Sequence, residues 1–274
     1  MVPELRPRGI GEMLDVAVSL YRARFGRLIS VAAAVVVPVQ VLSTLVLLSA
    51  QPDTVNVSFT GAATPQYNDR SSALQLGAIV IVFIVGVLST AFVVAVCTRV
   101  VADAYSDNTA DAGEIMQVAR RRYLAVVGTS LLVAASEGIG FVFCFVGALV
   151  PLTLFAVAVP SLILEGIGVS AALGRSVNLT KSHFFRVLGL VLTAQILGSV
   201  LNVGLAAGIS TWLRHGGSTT ALVIGQGVAN AVAATLTTPF IATAIVVLYF
   251  DLRIRNEAYD VQLLMQRADA RALA

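Results

Sequence analysis

The chain has 274 residues, of which 57% are hydrophobic and only 12% charged, with a mean hydropathy of +0.89 and a formal net charge of +3. A soluble domain carries about 25% charged residues, so this chain cannot clothe an ordinary water-facing surface, and lipid must be the solvent for much of it. The two cysteines, Cys97 and Cys144, lie in apolar runs and read as packing thiols rather than a disulfide framework.

In chain order, residues 1–27 hold Glu4, Arg6, Arg8, Glu12, Asp15, Arg22, Arg24 and Arg27, with no short apolar core leading to a cleavage site. The sequence therefore predicts no cleaved secretion signal, and the first apolar run becomes an uncleaved anchor. Six such runs follow, at about 29–50, 73–99, 126–146, 148–164, 187–210 and 221–249. Each is near the ~20 residues that cross a hydrocarbon core. They are rich in Val, Ile and Thr, but lipid requires backbone groups to bond within their own segment, which favours helices. The fourth run is the shortest and holds Pro151 and Pro160. The polar segment 51–72 reads as an outer loop, and the charges after Phe250 as a cytoplasmic tail, 251–274.

Sixteen of the eighteen Lys and Arg residues fall on one side of this arrangement, leaving only Arg70 and Arg214 on the other. This positive-inside bias predicts a multi-pass protein of the cytoplasmic membrane with both termini cytoplasmic. The inner segments also resemble one another. Between 169 and 188, Val169, Leu173, Val177, Phe184 and Leu188 share one helical face, and Arg175, Asn178, Ser182 and Arg186 the opposite one. A shift of 159 lays this stretch over "GEMLDVAVSLYRARFGRLI", matching Leu173 to Leu14, Val177 to Val18, Leu179 to Leu20, Phe184 to Phe25 and Arg186 to Arg27. A shift of 102 brings "GEIMQVA" from Gly113 onto "GEMLDVA" from Gly11. The expected fold is all-α, a six-helix membrane bundle built as three repeats of an amphipathic interfacial helix plus two membrane helices. It forms one domain, 1–274, with units at about 9–101, 110–165 and 168–250. The basic residues of these feet, Arg22, Arg24, Arg27, Arg120, Arg121, Arg122, Arg175, Lys181 and Arg186, are candidates to meet anionic lipid heads or a protein partner.

Three blocks carry a family resemblance: "RGIGEMLDVAVSLYRARFGRLI", "LEGIGVSAALGRSVNLTKSHFFRVLGL" and "LYFDLRIRNEAYDVQLL". They resemble the opening, central Glu-Gly and closing segments of membrane proteins named after the membrane domain of glycerophosphoryl diester phosphodiesterase, in the form found in high-GC actinobacteria. The resemblance implies a polytopic membrane domain with no catalytic motif of its own. The phosphodiesterase activity of fused relatives belongs to a soluble barrel, for which the residues after the last run leave no room.

The residues themselves offer little chemistry. His183 lies in the third foot and His215 in an outer turn, so the membrane separates them and they cannot share a metal. No HExxH, GxSxG or phosphate-cradling glycine loop is present, and no enzyme, cofactor, metal or nucleic-acid partner is expected. Glu137 stands out, about eleven residues or ~16 Å into the third run. A carboxylate at that depth either bonds a neighbouring amide, with Gln40, Gln195, Asn202 and Asn230 as candidates, or marks a path for an ion or substrate. "GLAAG", with Gly204 and Gly208, permits close helix approach, and Gly138 to Gly140 reads as another packing site. Two functions follow as expectations. The first is a non-catalytic scaffold or accessory subunit, and the second a transporter or lipid-handling protein using the polar site around Glu137.

Overall fold

The structure, a computed structural model, describes residues 9–49, 55–57, 63–65, 69–105, 112–143, 145–214 and 219–257. The described chain is helical apart from one short hairpin, in which β1 (Val55–Val57) pairs antiparallel with β2 (Ala63–Pro65). That hairpin lies in the segment expected to be an outer loop. Its flanking residues, together with Cys144, His215 and the tail beyond Glu257, are outside the described residues.

The helices are α1 (Ile10–Ala23), α2 (Phe25–Ser49), α3 (Asp69–Tyr105), α4 (Ala112–Phe143), α5 (Leu149–Leu154), α6 (Ala158–Glu165), α7 (Val169–Thr180), α8 (Phe184–Arg214) and α9 (Thr219–Glu257). Five stretches are long and apolar enough to cross a bilayer: Phe25–Ser49, Ala73–Asp103, Arg120–Val142, Val169–Gly208 and Val223–Glu257. Their outer faces expose Leu45, Leu76, Phe83, Phe141, Val200 and Val228, among others, a density of apolar surface that water does not tolerate. This is a membrane-embedded helical protein.

The fourth apolar run behaves differently from the other five. Leu149–Glu165 is split into α5 and α6 by a turn at Phe155–Val157. Proline explains the break, since Pro160 has no N–H for the Ala156 carbonyl and the ladder cannot continue through that turn. The Leu154 carbonyl instead accepts the Ser176 and Thr180 hydroxyls of α7, at 2.7 and 3.2 Å. Backbone irregularity at membrane depth persists only where such replacement partners exist. The α4–α5 connection is equally tight, because a Cβ on Gly140 would lie 2.7 Å from the Gly147 carbonyl oxygen.

Helix α9 is the central mast. Half of its apolar window is buried, against about a fifth or less in each of the other four. It packs on α8, α2, α3 and α1, and the main core clusters at the charged end of the bundle, around Met13, Leu28, Val96, Val187 and Leu248. Pro38 and Pro239 both sit inside continuous helices rather than ending them. The Tyr21 hydroxyl donates to the Leu236 carbonyl at 3.0 Å, three residues before Pro239, so α1 is pinned to the turn that this proline weakens.

The feet differ from expectation in an informative way. Helix α1 buries Met13, Ala17 and Leu20 against protein, mainly α9, so its apolar face is not free to lie on lipid. Helix α7 buries Ala172, Ser176, Leu179 and Thr180, whereas Leu173 and Val177 of the predicted stripe are only half-buried. The chosen stripe is the narrow one, because small and hydroxyl side chains admit α6 closely and satisfy its broken backbone. The second foot is no separate helix, being the first turns of α4. Shifted by 159, the starts of α1 and α2 coincide with those of α7 and α8, and buried Met13, Ala17, Leu20, Leu28 and Ala32 meet buried Ala172, Ser176, Leu179, Val187 and Val191.

Candidate functional site

Glu137 lies on the face of α4 that also carries Ser130, Val133 and Ala134, spaced at one helical stripe. This face looks across a cleft of about 240 Å³ to Leu190, Val191, Ala194 and Gln195 of α8. Val94 of α3 and Ile241, Ala244 and Ile245 of α9 contribute to the cleft between α4 and α8. The broken α5–α6 segment completes it through Leu152, Phe155, Ala156, Val159 and Pro160. The Ala156 carbonyl, deprived of its helical donor, therefore belongs to a residue lining the same cleft as the carboxyl group.

Glu137 is half-buried, and Gln195 is exposed on the α8 rim. Beside them, exposed Ile139, Phe141, Ile196 and Leu197 present apolar surface to the bilayer. The cleft is thus a lateral one, apolar in most of its lining, with Ser130, Glu137 and Gln195 as its polar side chains. Among the described residues no hydrogen bond reaches the Glu137 carboxyl. The amides named from sequence are separated by the fold. Gln40 lines a different and larger groove, about 570 Å³, between α2 and α9 with Thr44 and Thr235; that groove holds no titratable group. Asn202 and Asn230 are half-buried and line neither cavity, so only Gln195 shares the cleft with Glu137.

The basic candidates divide sharply. Glu165, at the end of α6, accepts Arg175 Nε through both carboxylate oxygens at 2.9 and 3.0 Å, and the Tyr249 hydroxyl at 2.8 Å. Arg175 also pairs with Glu257, which in turn accepts Arg253 Nε at 3.0 Å. Asp251, almost fully buried, is shared by Arg255 at 2.9 Å and Arg186 at 3.4 Å. The helical pairs Asp251–Arg255 and Arg253–Glu257 are those the four-residue spacing permits. Arg175 and Arg186 are therefore committed to carboxylates of α6 and α9.

Arg22, Arg27, Arg120 and Arg121 are exposed, and Arg24 is half-buried; none has an ion-pair partner among the described residues. Lys181 is exposed and donates to Asn178 at 3.2 Å. Arg122 is half-buried and donates to the Ile167 carbonyl at 3.3 Å. Sequence reading passed over Glu165 and Tyr249, which no local spacing connects to Arg175. A legible signal was also missed: "RVVADAY" from Arg99 and "RIRNEAY" from Arg253 share an Arg, an acid four residues on, and Ala-Tyr. Both form the corresponding ion pair at a helix end, Arg99–Asp103 at 3.5 Å and Arg253–Glu257 at 3.0 Å.

Comparison of the chain with family models, with curated proteins and with solved structures finds no match.

Proposed function

We propose that this is a non-catalytic, six-crossing protein of the cytoplasmic membrane that handles a membrane-borne amphiphile, with a polar group of the ligand received at Glu137. The observation that carries this reading is the lateral cleft between α4 and α8, where one carboxyl group, one amide and one hydroxyl face a space otherwise lined by apolar side chains. A carboxyl group without a hydrogen-bond partner at membrane depth costs several kcal/mol, of the order of ~3 kcal/mol, unless something polar meets it. A hydroxyl or amide of a lipid sliding in from the bilayer would do so. The ligand's chain would lie along the apolar walls, in keeping with the general form of small-molecule sites.

The charge asymmetry supports placing both termini and the ion-paired end in the cytoplasm. With α5 and α6 counted together as the fourth crossing, the pathway returns the chain to that side before α7. The matching helix starts and buried positions of the α1–α2 and α7–α8 pairs support a repeated foot-and-crossing unit, with a shortened middle copy. The resemblance to the glycerophosphoryl diester phosphodiesterase membrane-domain family agrees with a non-catalytic role. The scaffold reading retains one observation, the exposed Arg22, Arg27, Arg120 and Arg121, which a cytoplasmic partner could use.

The deciding experiment is purification from native membranes with lipids retained, then mass spectrometry of the bound fraction. Wild type should retain one lipid class selectively, and Glu137→Gln and Gln195→Leu should each lower that retention at least fivefold while folding normally. Unchanged retention in both variants, or a reproducible protein partner with no enriched lipid, would favour the scaffold.

A further inference from the structure

The charged end of the bundle contains a second feature, independent of the Glu137 cleft. Arg121 and Arg122 of α4 line an open recess of about 620 Å³ together with Ala125 and the Gly166-Ile167-Gly168 loop that joins α6 to α7. Neither arginine has a carboxylate partner among the described residues, whereas Arg99, Arg175, Arg186, Arg253 and Arg255 all do. Glu165, which precedes the loop, is already occupied by Arg175 and Tyr249. Two guanidinium groups on one recess repel each other, and among the described residues no carboxylate compensates either of them.

The recess is also held in shape. Arg122 donates to the Ile167 carbonyl, and its guanidinium packs so closely on Gly166 that a Cβ there would lie 3.1 Å from Nη2. Gly166 has φ = 73°, the left-handed region that glycine enters without strain. The loop backbone can therefore approach the guanidinium planes without a side chain intervening. The first turn of α7 opens nearby and adds its partial positive charge, but the arginines carry the argument. Depth points to the source of the anion. Arg121 and Arg122 sit at the start of the apolar stretch Arg120–Val142, where a headgroup phosphate meets the hydrocarbon.

We infer that this recess binds the phosphate group of an anionic phospholipid, with Arg121 and Arg122 as its paired donors. Arg121 supplies a free, exposed guanidinium, and Arg122 supplies the donors left after its bond to Ile167. The matching of a planar donor fork to phosphate oxygens is the reason arginine suits the role. Arg120, one residue earlier and equally exposed, does not line the recess and provides the internal control.

The test uses the full-length protein in nanodiscs of phosphatidylcholine doped with phosphatidylglycerol, reading the retained anionic lipid by native mass spectrometry. Arg121→Gln should lower phosphatidylglycerol retention about fivefold, the factor that ~1 kcal/mol per basic residue corresponds to. Arg120→Gln should leave it within twofold. Arg122→Lys keeps the charge, and a folded protein with reduced retention would mark the fork geometry as the requirement. Equal losses from Arg120→Gln and Arg121→Gln would overturn the site in favour of diffuse surface attraction. So would equal retention of phosphatidylcholine and phosphatidylglycerol. Displacement of the lipid by millimolar inorganic phosphate, in an Arg121-dependent way, would overturn the lipid source and leave a soluble phosphate as the ligand.

Discussion

Single residues set the tightest constraints in this bundle. Gly140 and Gly147 are one such pair, since a Cβ at Gly140 would strike backbone rather than a movable side chain. Gly140→Ala should therefore cost about 1–3 kcal/mol, the usual range for overpacking, measurable as earlier thermal unfolding in detergent. Gly138, two residues earlier, faces open space, and Gly138→Ala should be close to neutral. Asp251 is a second constraint, buried between Arg186 and Arg255, with Arg186 Nε and Nη2 otherwise without a hydrogen bond. Asp251→Asn removes the charge that both guanidiniums share and should destabilise by about 3–5 kcal/mol, as breaking a buried pair does. Arg255→Gln should cost much less, because Arg186 still partners the carboxylate.

At the scale of elements, α7 matters most. It ties the broken α5–α6 segment through Ser176 and Thr180, the mast through Arg175 and Glu257, and the end of α9 through Asn256, which donates to the Leu179 carbonyl at 3.0 Å. Arg175→Ala leaves both Glu165 and Glu257 short of a partner, so it should be worse than either single carboxylate substitution in the same thermal-unfolding assay. Ser176→Ala and Thr180→Val together should loosen the α5–α6 turn, since the Leu154 carbonyl would lose both of its hydroxyl donors.

Across the whole molecule, the packing is uneven. The charged end is dense, with the main core running through α1, α2, α3, α8 and α9, whereas the far halves of the helices expose leucine, isoleucine and valine. The topology has a direct check. In intact cells an impermeant thiol reagent should label Thr211→Cys, at the exposed far end of α8, and should miss Lys181→Cys until the membrane is opened. Labelling in the reverse order would invert the assigned orientation and remove the lipid-facing argument for Arg121.

Length, hydropathy and charge sufficed to determine a membrane-embedded helical body, because the bilayer imposes a segment length and internal hydrogen bonding that composition alone must satisfy. Five of the six apolar runs form long helices, and the two features expected to be special, Glu137's neighbourhood and the proline-bearing fourth run, converge on one cleft. The ion pairs within α9 were legible for a simpler reason, since a four-residue spacing fixes geometry without any tertiary information. Tertiary structure alone decided the rest. Glu165 meets Arg175 and Tyr249 across ten and eighty-four residues of chain, Gln195 rather than Gln40 shares Glu137's cleft, and the feet bury their narrow faces against protein instead of laying their broad ones on lipid. In a uniformly apolar sequence, periodicity shows that a helix has a face but not which neighbour covers it. That choice belongs to close packing and to the few backbone carbonyls that need a donor.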